Sequence, residues 1–208
     1  MQTINTRHSL KERQRQEREN LILQVAEEVF MEKGYHETSI DEIAAQVGIA
    51  KGTVYLHFPS KEDLVMAIFQ RDMQHIVQAV DALLSSELTA RAKLESVQQF
   101  MFGGMFSKHF QLLYAIFNNP GTRRLFAEKE CVLRDLWGQI GDRVTTLLDE
   151  GKAAGEFDAA IPTPVLRSAF FNLLSPKGYE RLLVEEKMPP EELAKHVGRI
   201  YFNGIAKK

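Results

Sequence analysis

Cysteine is nearly absent. Cys131 stands alone in 208 residues, so an internal disulfide is excluded, and a cysteine-based zinc site with it. No run approaches the roughly 18 consecutive apolar residues of a membrane helix, which predicts a soluble chain with no membrane partner. The N-terminal stretch is not greasy either: between Met1 and Asn20 only Met1, Ile4 and Leu10 are apolar. That argues against a secretory signal, and with the single thiol it points to a reducing cytoplasm. Net charge is also small, −2, beside an apolar fraction of 44%. The balance argues against disorder, and the sequence pI of about 6.3 gives no average hint of nucleic acid.

Catalytic and metal-binding patterns are missing too. No Ser/His/Asp order, phosphate loop or paired-carboxylate motif rises above chance, so no enzyme is expected. Asp72-x-x-His75 places two ligand types on one helix face, but no second His pair completes a set. The expectation is no metal and no cofactor.

What is present is charge arranged by position. Residues 1–18 carry Arg7, Lys11, Arg13, Arg15 and Arg18 against Glu12 and Glu17. Residues 49–61 carry Lys51 and Lys61 with no acid. Between these basic ends, Glu19, Glu27, Glu28, Glu32, Glu37, Asp41 and Glu42 face only Lys33.

Helical periodicity dominates and strand alternation is nearly absent, so the fold class is all-α with about nine helices. Leu21, Ile22, Val25, Ala26, Val29 and Phe30 stripe a first helix that Gly34 stops. Thr38-x-x-Asp41 reads as a capping box opening a second helix that Gly48 ends. A third, very short helix runs from about Lys51 to His57, and Ser60-x-x-Asp63 opens a long fourth one. A helix from about Ala90 to His109, a short one from Phe110 to Phe117, and one from Pro120 to about Ala154 follow. Thr163-Pro164 and Pro189-Pro190 start the eighth and ninth. Residues 175–188 stay open, with a further helical piece at Tyr179–Glu186 as one possibility.

The segment from Thr38 to Lys61 carries the function. Two short helices joined by Gly48-Ile49-Ala50 make a helix-turn-helix, glycine allowing the left-handed backbone of the sharp turn. Lys51, Gly52 and Thr53 keep the start of the second helix thin enough to enter a major groove. Val54 and Phe58 would face inward, as would Tyr35, while Tyr55 and His57 would point to a phosphate or base edge. Lys61, in the first turn of the next helix, is poorly placed for that helix's dipole, and an external anion would explain it.

Gly34-Tyr35, Thr38 through Ala44, Val47-Gly48-Ile49, Lys51 through Phe58 and Ser60 through Leu64 together resemble the DNA-binding domain of TetR-family transcriptional regulators. The match covers about residues 15–66. Ala50 departs from the pattern, which commonly has Ser or Thr there, at the loss of a cap of about 1 kcal/mol. The resemblance implies phosphate contacts from Thr38 or Ser39, Tyr55 and Lys61. It also implies base reading by Lys51, Gly52 and Thr53, with His57 at backbone or base. Arg18, with Arg13 and Arg15, would lie along adjoining backbone or reach a minor groove, on a tail that orders only when bound.

Residues 1–62 are thus expected to form the DNA-binding domain and 63–208 a helical ligand-binding and dimerisation domain. The second is rich in aromatic and methionine side chains, which suit an adaptable cavity. The family resemblance implies an effector site there, with Phe69, Met73, Phe102, Met105 and Phe106 as lining candidates, joined by Tyr114, Phe117, Trp137 and Phe170. The effector would be hydrophobic or aromatic. Gly103-Gly104 suggests a close helix crossing or space for that ligand. The resemblance further implies a homodimer through the last two helices. Leu166, Phe170, Leu173 and Leu174 would form its interface on one helix, and Val197, Ile200, Tyr201 and Ile205 on the other.

Two recognition helices related by a two-fold axis require a palindromic operator in double-stranded DNA. The expected function is a repressor released when the effector displaces the fourth helix. A protein of the same fold acting through protein partners in chromosome organisation is the alternative.

Overall fold

The computed structural model describes residues 3–105, 108–119, 130–174 and 176–206. Among them are ten α-helices and no strand: α1 Thr3–Lys33, α2 Ile40–Val47, α3 Lys51–His57, α4 Lys61–Leu84, α5 Ala90–Met105, α6 Lys108–Asn118, α7 Glu130–Ala153, α8 Thr163–Leu173, α9 Glu180–Val184 and α10 Pro190–Ile205. A 3-10 turn, Pro176–Tyr179, precedes α9. The expected helix start at Pro120 lies outside the described residues.

The chain divides into two compact units, one of Met1–Arg71 with Leu112–Glu128, the other of Asp72–Gln111 with Lys129–Lys208. In the first, Ile22, Ala26, Val29 and Phe30 of α1, Ile43 and Ala44 of α2, Val54 of α3 and Leu64 and Ile68 of α4 are all buried, with α1 packed on α2 and α2 on α3. Its turns form where glycine permits positive φ, at Gly34 (86°) and Gly48 (79°). The basic N-terminal stretch is no loose tail: α1 is one continuous helix of 31 residues from Thr3. Arg13–Glu17 and Arg15–Glu19, each 3.0 Å apart and spaced i,i+4, support it.

In the second unit α5, α7, α8 and α10 share a core. Phe102, Ile140, Val144, Leu147, Phe170 and Phe202 are among its buried members. Polar ties fix the packing: Gln98, 4% exposed, donates to the Ala194 carbonyl at 3.1 Å, and the Tyr201 hydroxyl donates to the Leu166 carbonyl at 2.9 Å. Arg143 grips Asp81 with two bonds of 2.6 and 2.8 Å. The glycine that closeness demands is Gly151, where a Cβ would stand 2.3 Å from the Phe157 ring. Gly103 and Gly104 are exposed, and a Cβ on either would meet nothing within 4 Å. Among the described residues no close crossing occurs at that pair, the first of the two reasons considered for it.

The stripe expected at a dimer interface is largely this unit's own core. Leu166 (2% exposed), Phe170 (1%), Leu174, Val197, Tyr201 and Ile205 are all buried within one chain. Leu173 is half-buried, and only Ile200, at 69%, stands in the open. One apolar stripe on a helix reads the same whether its neighbour is in the same chain or another. On these two helices the exposed large apolar side chains are Ile200 and Val165.

Candidate nucleic-acid interface

The helix-turn-helix is built as its residues dictate. The capping box of α2 sits one residue later than expected. Ser39 is the N-cap, its hydroxyl accepting from the Glu42 N–H at 3.3 Å while the Glu42 carboxylate accepts from the Ser39 N–H at 3.1 Å. Lys33 donates to the same carboxylate at 2.5 Å and holds it below its ordinary range. Thr38 is 3% exposed and donates to the Gly34 carbonyl at 2.8 Å. Its side chain is internal, which corrects its expected phosphate contact. Ser39 remains exposed at the head of α2.

Helix α3 is seated by Val54 (0% exposed) and Phe58 (8%). Ala50 at its N-cap makes no side-chain bond to the helix. Its outer surface is open: Lys51 and Gly52 are exposed, Thr53 is half-buried, and Tyr55 stands 42% exposed. Leu56, at 81%, is the most exposed large apolar residue among those described. It lies two residues from both Val54 and Phe58 and so off their inward stripe, a placement that the spacing in the sequence already carries. Lys51 donates to Asp41 of α2 at 2.6 Å in a pair open to solvent. Nothing stands within 4 Å of where a Gly52 Cβ would be, and its φ is not positive. The fold itself does not require glycine at that position.

Lys61 and His57 are more internal than expected. Lys61 donates to the carbonyls of Tyr35 and Thr38 at 2.7 and 2.9 Å and stands 4.3 Å over the Tyr35 ring. Those carbonyls, lying in the turn between α1 and α2, explain a lysine in the first turn of α4 without an external anion. Burial holds its ammonium below the ordinary lysine range. One N–H of three remains for a phosphate. The Tyr35 hydroxyl donates to Glu62 at 2.6 Å, and burial with this bond pushes the phenol up.

The His57 side chain is 8% exposed, with Nδ1 3.0 Å from Glu19 Oε1, so it faces α1. Burial alone would raise the Glu19 carboxyl, but the bonds from His57 and Arg15 outweigh it and hold it low. Arg18 is exposed on α1, and with Lys11 and Arg15 it borders a cleft of about 430 Å³ that reaches His57. These three basic residues recur at i, i+4 and i+7, one face of the helix.

The lining candidates for an effector are described only in part. Phe69 is buried in the first unit, and Met73, Phe102 and Phe170 are buried in the second. Phe106 and the side chains of Met105, Tyr114 and Phe117 lie outside the described residues. Trp137 is 37% exposed and borders a cavity of about 490 Å³ in the second unit. Among the described residues no cluster of three or more His, Cys, Asp or Glu could hold a metal ion, and no helix is long and apolar enough to cross a membrane.

Known proteins match this arrangement. The family model for bacterial regulatory proteins of the tetR family matches residues 22–68. The HTH-type transcriptional regulator UidR of Escherichia coli is 38% identical over 168 residues, covering 74% of this chain and 78% of that one. The fatty acid metabolism regulator protein of Bacillus subtilis is 28% identical over 192 residues, 90% of this chain and 95% of that one. Among solved structures, the transcriptional regulator FadR from Bacillus subtilis in complex with stearoyl-CoA superposes with a TM-score of 0.71 at 23% identity, over 89% of this chain and 98% of that one. With this interface and these relatives, the chain belongs to the tetR family of bacterial regulatory proteins and is a helix-turn-helix transcriptional regulator.

Proposed function

We propose that the protein is a homodimeric repressor that binds a palindromic operator and leaves it when a small hydrophobic effector binds, acting in the cytoplasm. Residues 1–62 serve as the DNA-binding domain and 63–208 as the effector-binding and dimerisation domain. The observation that carries the DNA-reading role is the outer surface of α3, where Lys51, Gly52, Tyr55 and Leu56 are exposed while Val54 and Phe58 anchor the helix from behind.

In that role Lys51 exchanges Asp41 for guanine O6/N7, and the Thr53 methyl and Leu56 meet thymine methyls. Ser39, Tyr55 and Arg18 contact phosphates, which set register without specifying sequence. Dimerisation doubles a recognition element of only seven residues and presents its two copies to successive helical turns. The fatty acid regulators among the relatives support an effector with an acyl chain. Ligand preferring a state with a displaced α4 would lower operator affinity by its ratio of affinities for the two states.

Electrophoretic titration of an operator fragment tests this reading. Sharp binding at two protomers per site, weakened by an acyl compound, is the expected result. Operator affinity indifferent to every acyl compound tried would contradict the effector half.

A further inference from the structure

The cavity beside Trp137 differs in character from the greasy pocket expected of the sequence. On α7, Arg134, Trp137, Gly138, Gly141 and Asp142 recur at i, i+3, i+4, i+7 and i+8, a single helix face. On α8 and its C-cap, Arg167, Phe171 and Leu174 recur at i, i+4 and i+7. With Met101 of α5 the two stripes border an open cleft of about 490 Å³, within the range of small-molecule sites. Met101 and Leu174 are buried at the base, 4% and 3% exposed, while Trp137 stays open at the edge.

The charges are equally specific. Arg134 and Arg167 are both exposed at this cavity, against one acid, Asp142. Among the described residues neither guanidinium is engaged in an ion pair. Arg167 reaches from α8 to α7, with Nη1 3.9 Å from where a Cβ on Gly141 would stand, an ordinary contact distance. A lining of apolar side chains, two aromatic rings and two planar guanidinium donors suits a molecule with a greasy body and an anionic head.

We infer that this cavity binds an amphipathic anion, its apolar part against Met101, Trp137, Phe171 and Leu174 and its carboxylate or phosphate on Arg134 and Arg167. This rests on the reading that the second unit takes an effector, and it adds where the effector sits and what charge it bears. A carboxylic acid and its coenzyme A thioester share that chemistry.

Trp137 is the only tryptophan of the chain, so its emission reports the site directly. The full chain is titrated with decanoate, decanoyl-CoA, coenzyme A and 1-decanol. Either decanoate or decanoyl-CoA should move the emission saturably, with 1-decanol much weaker. The more tightly bound anion tells a carboxylate head from a phosphate one. The double variant Arg134→Ala, Arg167→Ala should weaken that anion about tenfold or more while still binding operator. The inference is overturned if 1-decanol binds as tightly as the anions, if the double variant binds unchanged, or if no probe moves the emission. It is equally overturned if emission follows protein concentration instead of ligand, which would assign this face to self-association. Release of operator by these compounds without any change at Trp137 sinks the site and leaves the regulatory reading standing. A ligand that moves Trp137 but leaves operator affinity unchanged does the reverse.

Discussion

Gly52 has no internal reason to be glycine. It lies within a helix, where glycine is about 0.5–1 kcal/mol worse than alanine, and nothing in the fold crowds the position of a Cβ. In the proposed role, close approach to DNA supplies the reason. Gly52→Ala should therefore raise or preserve the urea midpoint while weakening operator binding by about tenfold or more, the scale of one lost base contact. Lys61 calls for the opposite pattern. Its ammonium ties α4 to the carbonyls of Tyr35 and Thr38, so Lys61→Ala should lower stability by about 1–2 kcal/mol. It should also reduce the slope of log affinity against log salt by about one, through its remaining N–H. A midpoint that falls with an unchanged slope would make Lys61 a clasp only.

The inward roles of Val54, Phe58 and Tyr35 were legible in their spacing. The choice between Thr38 and Ser39 was not, because each has an acid three residues on and both satisfy the same capping rule. Only the turn geometry after Gly34 decides which hydroxyl faces in.

Among the helices, α1 and α3 are joined through Glu19, which holds both Arg15 and His57. The folded carboxyl lies below its unfolded value, so the unfolded chain takes up the proton first as pH falls. The resulting stabilisation is complete at neutral pH and is lost as acidity passes the unfolded value near about pH 4.3 and then the lower folded one. Urea midpoints of the native chain and Glu19→Gln should differ at pH 7 and converge in acid.

Glycines on two other helices oppose each other. Gly151→Ala drives a methyl into the Phe157 ring and should destabilise by about 1–3 kcal/mol. Gly103→Ala, with nothing among the described residues within 4 Å of its Cβ, should be neutral or stabilise by up to about 1 kcal/mol. Thermal melts of the two variants check both signs. The sequence alone suggested the reverse emphasis, because the paired glycines drew notice and the contact of Gly151 with a ring six residues on depends on how the loop after α7 folds back. That loop is pinned by the Asp158 N–H donating to the Ile205 carbonyl at 2.8 Å, a long-range contact that no local pattern encodes.

At the scale of the molecule, helix number and the helix-turn-helix were readable because periodicity and glycine punctuation are local. Partners were not, since an apolar stripe such as Leu166, Phe170 and Tyr201 does not say whose core it fills. If the dimer forms through α8 and α10, its apolar contact falls to exposed residues such as Ile200 and Val165. Ile200→Asp should then shift the sedimentation profile toward monomer and reduce operator affinity together, with the melting temperature of the isolated chain little changed.

The decisive measurement is selection of bound duplexes from a random pool by the purified full chain, followed by sequencing. Enrichment of an inverted repeat whose half-site centres lie about 34–36 Å apart, or a multiple of that, is the result expected of two paired α3 helices. A pool that returns no shared sequence, or a single unrepeated motif, would contradict the account.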